Sequence, residues 1–246
     1  MEIKPVVMVL VDISGYTPFI RLHKLNLLHA EKIVTDLIEA LIESIEAPLK
    51  VSKLEGDAVF FYAELGHDPS ATAGQVMRQV LRFFELFSAT TEDMDRRNIC
   101  ICDSCSATEQ LKLKGFVHVG EVAIKRVLHF EELAGEDVIV THRLTKNSVD
   151  ADEYLLITEA FCEICPHLPE WTSNAHVEPY EGLGEVPARV YYLRRELAAV
   201  RPRTARPPAT LGAKFSRIAG LLRYSIPRMM GKAPERTFHH IPGGRA

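Results

Sequence analysis

No apolar run in the 246 residues approaches the roughly 20 that a membrane-crossing helix needs, and no hydrophobic segment follows Met1 as a secretory leader would require. A cytoplasmic protein is expected. Cysteine is scarce and odd in number, five in all, so a disulfide framework is not expected and the thiols read as reduced. Positive charge is scarce over most of the chain: residues 1–200 carry 19 basic and 32 acidic groups, a net −13. So acidic a body makes a poor partner for nucleic acid. No internal repeat is present. The basic groups collect at the end instead, where eight arginines and two lysines from Arg201 onward face Glu235 alone, a net +9.

What the chain does have begins at Val6. Residues 6–17 read V-V-M-V-L-V-D-I-S-G-Y-T, and six consecutive apolar residues predict a strand buried on both faces. Asp12 comes straight after them. An aspartate there can simply cap the next helix. At the end of a buried strand, followed by Ser14-Gly15 where the backbone can turn and offer its amides, it also suits a divalent cation carrying phosphates. A second apolar strand, residues 59–63, is preceded by Lys53-Leu54-Glu55-Gly56-Asp57. A turn on Gly56-Asp57 brings a second carboxylate toward the same place.

The remaining periodicities predict an α/β (α+β) fold. Leu27, Ala30, Ile33, Val34, Leu37, Ile38, Leu41, Ile42 and Ile45 keep a 3.6-residue spacing that Pro48 closes, and residues 71–87 return to that spacing. Residues 111–119 and 122–130 read as two strands around His118-Val119-Gly120-Glu121, followed by a short helix near 138–147 and a strand at 154–158. The order is that of the ferredoxin-like βαββαβ core with extra C-terminal strands, which sets Asp12 and Asp57 side by side. Residues 1–197 are expected to form one domain, 198–210 an Arg/Pro-rich linker and 211–246 a basic amphipathic tail.

These stretches, taken in order from residue 6 to about 193, resemble the catalytic domain of the class III nucleotidyl (adenylate/guanylate) cyclases. Asp12-Ile13-Ser14-Gly15-Tyr16-Thr17 is similar to the family's aspartate followed by I-x-G-[FY]-T, and Lys53 to Asp57 is similar to its K-x-x-G-D. His118-Val119-Gly120 is similar to its H-x-G hairpin, and residues 135–144 to its G-x-x-V-N-x-A-x-R-[LM]. The resemblance implies two Mg²⁺ or Mn²⁺ ions per site, held by Asp12, Asp57 and the backbone carbonyl of Ile13. It implies a homodimer in which Arg143 stabilises the transition state from the partner subunit, and a signalling role as a cyclase converting ATP to cAMP and pyrophosphate. Lys53 and Glu132 fall where the family reads its purine. That pair favours ATP, and GTP stays open, because lysine can donate to guanine O6 and a carboxylate can accept from guanine N1 and N2. An ordinary surface ion pair is the plainer reading of the same two residues.

Two departures stand out, and the rest of the pattern resembles a divergent, poorly characterised bacterial branch of that family. Ile139 stands where the family has its catalytic asparagine, and no lysine near Gly182-Leu183-Gly184 matches the family's late phosphate contact. Losing one preorganised transition-state donor costs roughly 2.7–4 kcal/mol, or 10²–10³ in rate. A slow cyclase and a non-catalytic nucleotide-binding or regulatory module are both compatible with Ile139.

Cys100, Cys102 and Cys105 lie within six residues, and Cys162 and Cys165 add a pair at i,i+3. The first three can form a structural zinc site with a fourth ligand from elsewhere, act as a redox switch, or stay unliganded. In the tail, Phe215, Ile218, Leu222, Ile226 and Met229 share one helical face. Such a basic amphipathic helix can dock on its own acidic domain or make a peripheral contact with an anionic membrane.

Overall fold

The apolar run from Val6 to Val11 becomes the middle of β1 (Glu2–Ser14), a strand hydrogen-bonded along both edges. A computed structural model describes residues 2–22, 27–97, 108–128 and 130–193. Within it the element order is β1, α1 (Tyr16–Leu22), α2 (Leu27–Glu43), β2 (Lys50–Glu55), β3 (Ala58–Glu64), α3 (Pro69–Arg97), β4 (Lys112–Val127), β5 (Phe130–Ala134), α4 (Glu136–Arg143), β6 (Tyr154–Thr158), α5 (Glu159–Ile164), β7 (Thr172–Tyr180) and β8 (Gly184–Tyr192). The strands form one sheet in the order β2-β3-β1-β4-β6-β8-β7, with β5 paired to β4 alone. Its first four strands, antiparallel and in the order 2-3-1-4, are the expected βαββαβ core. β6 extends it in parallel to β4, and the β8-β7 hairpin closes the far side.

Alternation along β1 divides the interior in two. Val7, Val9, Val11 and Ile13 join the larger core, into which α2 sends Ala30, Ile33, Val34, Leu37 and Leu41, and α3 sends Val76, Val80, Phe83 and Phe84. Val6, Met8 and Leu10 face the other way, toward Phe60, Phe116, Tyr154 and the short helix α4, which supplies Val138 and is followed at once by Leu144. Phe60, Phe61, Phe116, Phe161 and Tyr154 are all at most 1 % exposed. Each such side chain contributes about 1.5–3 kcal/mol relative to an exposed one, large against a net stability of about 5–15 kcal/mol. Two contiguous cores on one sheet therefore hold the domain.

The ends of the helices follow local chemistry. Pro69 opens α3 at a position where no N–H is missed, and Asp68 caps it, its Oδ1 accepting from the Ala71 amide at 2.9 Å. That helix runs ten residues beyond the expected 71–87, because Met94 still packs on the core and Thr90 and Thr91 bond back to the carbonyls of Leu86 and Phe87. α4 is shifted from the expected 138–147. It stops at Arg143 because Asn147 folds back, its amide nitrogen donating to the Leu144 carbonyl and to the Tyr154 hydroxyl, both at 2.7 Å.

One expectation is overturned. His118-Val119-Gly120 is not a turn between two strands but lies inside the continuous 16-residue β4, in register with Met8, Val7 and Val6 of β1. The glycine marks close packing rather than a bend. Among the described residues no helix is long and apolar enough to cross a membrane. Cys100, Cys102, Cys105 and the tail from residue 194 lie outside the described residues.

Candidate functional site

A single row of partners crosses five strands: Ala58, Asp12, Lys114, Tyr154 and Tyr192, each in register with the next. Asp12 continues the Val6, Met8, Leu10 series of β1, so its side chain belongs to the α4 face, where the apolar packing ends and water begins. Asp57 reaches the same place from the β2-β3 turn, which Gly56 makes tight with φ of 65°. The Ile13 amide donates to the Asp57 carbonyl at 3.3 Å, and the two side-chain carboxyls lie near enough for each to shift the other's ionisation.

Two acids in contact cannot both ionise freely. Burial, then the charge of Asp12, pushes the Asp57 carboxyl up to about 6. Burial also raises Asp12, opposed chiefly by the charge of Lys114 beside it. Tyr16 packs on the larger core and donates to Glu31 at 2.9 Å, and burial followed by that bond pushes its phenol up to about 12. Lys114 also stands 5.3 Å from the centroid of the Tyr154 ring. It was not singled out from the sequence. The signal lay in the alternation Lys112-Leu113-Lys114, which sets a half-buried cation on the same face as Phe116 at the start of the strand.

The pair fits a hard divalent cation. Its donors are oxygens, its charges repel one another, and a cation between them would offset that repulsion. Two carboxylates alone do not complete a shell. Among the described residues no group of three or more His, Cys, Asp or Glu side chains is placed to hold a metal, so backbone and ligand oxygens have to supply the rest.

The other expected site residues stand apart from this pair. Lys53 is ion-paired to Glu55 of its own strand at 2.7 Å and lies 5.8 Å from the Phe60 ring centroid. Glu55 also reaches His142 Nδ1 at 3.2 Å, and the His142 ring tilts against Phe60. Burial lowers the His142 pKa, with Glu55 pulling the other way. Glu132 is exposed on β5 opposite Lys125, so the carboxylate that meets Lys53 is Glu55. Arg143 is exposed at the end of α4, close enough to Tyr180 for its charge to oppose the burial-driven rise of that phenol. Ile139 is 51 % exposed on the outer side of the same helix. Leu183 stands in the β7-β8 turn, where the resemblance calls for a phosphate-binding lysine. Cys162 and Cys165 are free thiols, the first pushed up to about 11 by burial and then by Glu159.

Known structures identify the architecture. The chain is similar to a bacterial light-regulated adenylyl cyclase, with a TM-score of 0.56 and 13% identity over 90% of this chain and 57% of that one. It is similar to the adenylyl cyclase CyaB from P. aeruginosa, with a TM-score of 0.54 and 12% identity over 78% and 95%. It is equally similar to a dimeric guanylyl cyclase domain from the aquatic fungus Blastocladiella emersonii, with a TM-score of 0.54 and 14% identity over 78% and 98%. The fold is that of the class III nucleotidyl cyclase catalytic domain. In sequence, the family model described as a protein of unknown function (DUF2652) matches residues 34–154. An uncharacterised protein of Mycobacterium tuberculosis is 33% identical over 152 residues, 62% of this chain and 69% of that protein. The chain belongs to this family.

Proposed function

We propose that this protein is a class III nucleotidyl cyclase that converts ATP to cyclic AMP and pyrophosphate, at a modest rate. The observation that supports it most is the Asp12–Asp57 pair with Lys114 in register beside it. A module that only bound a partner would have no need of two mutually repelling carboxylates at one strand end. In this reading Asp12, Asp57 and the Ile13 carbonyl hold two Mg²⁺ or Mn²⁺ ions, which when bound polarise the phosphates and ease deprotonation of the ribose 3′-hydroxyl. The 3′-oxygen bonds to the α-phosphorus, the bond from that phosphorus to its bridging oxygen breaks, and pyrophosphate departs while the hydroxyl proton passes to solvent.

The protein side chains orient and neutralise. Lys114 offsets phosphate charge next to the carboxylates. Lys53 donates to the purine and Glu132 accepts from its exocyclic amino group, so base binding exchanges the Lys53–Glu55 pair for a base contact. Arg143 bears on the phosphates from the partner subunit of a two-fold dimer, which brings it to an Asp12 that its own chain does not offer. GTP in place of ATP requires the same two side chains to act on O6 and N1.

A second reading, a non-catalytic nucleotide-binding module, is favoured by one observation. Ile139 places a half-exposed hydrocarbon on the helix one turn before Arg143, with nothing there to donate a hydrogen bond. Incubation of the purified full chain with Mn²⁺ and either ATP or GTP, with cAMP and cGMP measured by mass spectrometry, separates the two. Metal-dependent cyclic nucleotide supports the enzyme, and nucleotide binding without turnover supports the module.

A further inference from the structure

The helix that carries Arg143 is short, and its apolar contacts do not say where along the sheet it stops. Val138, Val140, Thr141 and Leu144 turn inward and fix the rotation of α4, but packing of this kind is non-directional and tolerates a slide along the strands. Its N-cap is Gly135, which has no side chain to cap with. A directional contact is needed, and Asp137 makes two. Its Oδ2 accepts from the Glu121 amide at 2.7 Å, and its Oδ1 meets His118 Nε2 at 3.1 Å.

Both partners belong to β4, and His118 is held from behind. His118 is 7 % exposed, and its Nδ1 meets the Thr158 hydroxyl at 2.9 Å. Thr158 is itself buried at the N-cap of α5, where its side chain makes no capping bond and is committed to the histidine. With Thr158 donating to Nδ1 and Nε2–H donating to Asp137, every polar atom of the relay α5, β4, α4 is used. Burial holds the His118 pKa down against the pull of Asp137, which suits this neutral arrangement. Gly120 completes the fit. A Cβ built at residue 120 would overlap the Asp137 carboxyl, so the glycine inside a straight strand is there to admit that side chain.

We propose that Asp137 is a positioning residue that sets the place of α4, and with it Arg143, against β4. Six residues separate the two, about 9 Å along the helix axis, so a shift at Asp137 arrives undamped at Arg143. A misplacement of about 1 Å near a transition-state contact lowers kcat far more than it weakens ground-state binding. The inference rests on the cyclase reading for the role of Arg143, while the anchoring itself does not.

The test combines amide hydrogen exchange with steady-state kinetics on the full chain. In Asp137→Ala, peptides spanning 136–143 are expected to exchange at least tenfold faster while those of β1 are unchanged, and kcat to fall at least tenfold with KM for nucleotide within about twofold. Asp137→Asn keeps the shape and one acceptor, so it falls between wild type and Ala and carries the test where the alanine variant does not fold. Gly120→Ala, which leaves every bonding group in place, is expected to loosen the same peptides, and adding Asp137→Ala to it makes exchange no faster than in Asp137→Ala alone. Unchanged exchange at 136–143 in both Asp137 variants overturns the proposal, as does faster exchange with kcat untouched in an active enzyme. Should wild type show no turnover with any metal, the cyclase reading fails separately. Exchange then decides: faster in the variants supports the anchor, unchanged rejects it.

Discussion

The carboxyls of Asp12 and Asp57 come together where the first strand meets the β2-β3 turn, and burial holds both above the usual carboxylate range, Asp57 further raised by the charge of Asp12. Asp57 titrates near 6 when folded and near 3.8 when not, so between those values the native state binds more protons. Stability conferred by protonation of Asp57 is present below about pH 4 and is lost as pH rises through about 6. Asp57→Asn removes the repulsion and is expected to be the more stable protein at pH 7, by about 1 kcal/mol after allowance for solvent at a half-buried site, with no difference at pH 4. Urea denaturation in metal-free buffer at the two pH values checks this. A variant less stable than wild type at pH 7 would show that the carboxyls are not in conflict.

The same substitution is expected to abolish catalysis. Asp12→Asn and Asp57→Asn each remove charge but little volume, so both should fold and neither should turn over ATP with Mn²⁺. Full activity in either removes the two-metal assignment. Lys114→Ala, which withdraws one phosphate-facing cation, is expected to lower kcat/KM by roughly 10²-fold. An effect under twofold would return Lys114 to the status of a strand-edge charge.

Ile139→Asn restores a donor on the outer side of α4 without touching the core, since the side chain is half exposed. The expected result is a gain of roughly 10²-fold in kcat with stability almost unchanged. No gain, with α4 intact by circular dichroism, would place the shortfall in the backbone rather than in the side chain.

Subunit exchange tests the shared site. Asp12→Asn and Arg143→Ala homodimers are expected to be nearly inactive, and a mixture of the two to regain one complete site per heterodimer, up to about half the wild-type activity. Heterodimers that form and remain dead would remove Arg143 from the partner's site.

Zinc is a separate question from catalysis. Protein purified without added metal is expected to carry about one zinc per chain on Cys100, Cys102 and Cys105, by elemental analysis. Near-zero zinc with five titrating thiols in the folded state leaves the cysteines unliganded.

How much of this was legible beforehand depended on whether a residue's neighbours were close in sequence. The six apolar residues before Asp12 and the Gly56-Asp57 turn are local signals, and both became what they predicted, a central strand and a tight hairpin. Lys114 was opaque because its importance comes from register with a strand a hundred residues away. Gly120 misled for the opposite reason. Glycine beside polar residues reads as a turn, but here the space it leaves is filled by Asp137 from α4, seventeen residues on. Glu55 escaped notice because the expected partner of Lys53 was sought at Glu132, whereas a strand's own i,i+2 neighbour shares its face and reached the lysine first.

The two carboxylates are mounted very differently. Asp12 sits on a strand laced to neighbours on both sides over most of its length, and Asp57 sits in a two-residue turn with a glycine beside it. On the two-metal reading they are a fixed jaw and a hinged one. On that reading a cation of different size is to be accommodated by the turn rather than by the sheet, and substitutions that stiffen Gly56 are expected to narrow the range of metals accepted before they alter the fold.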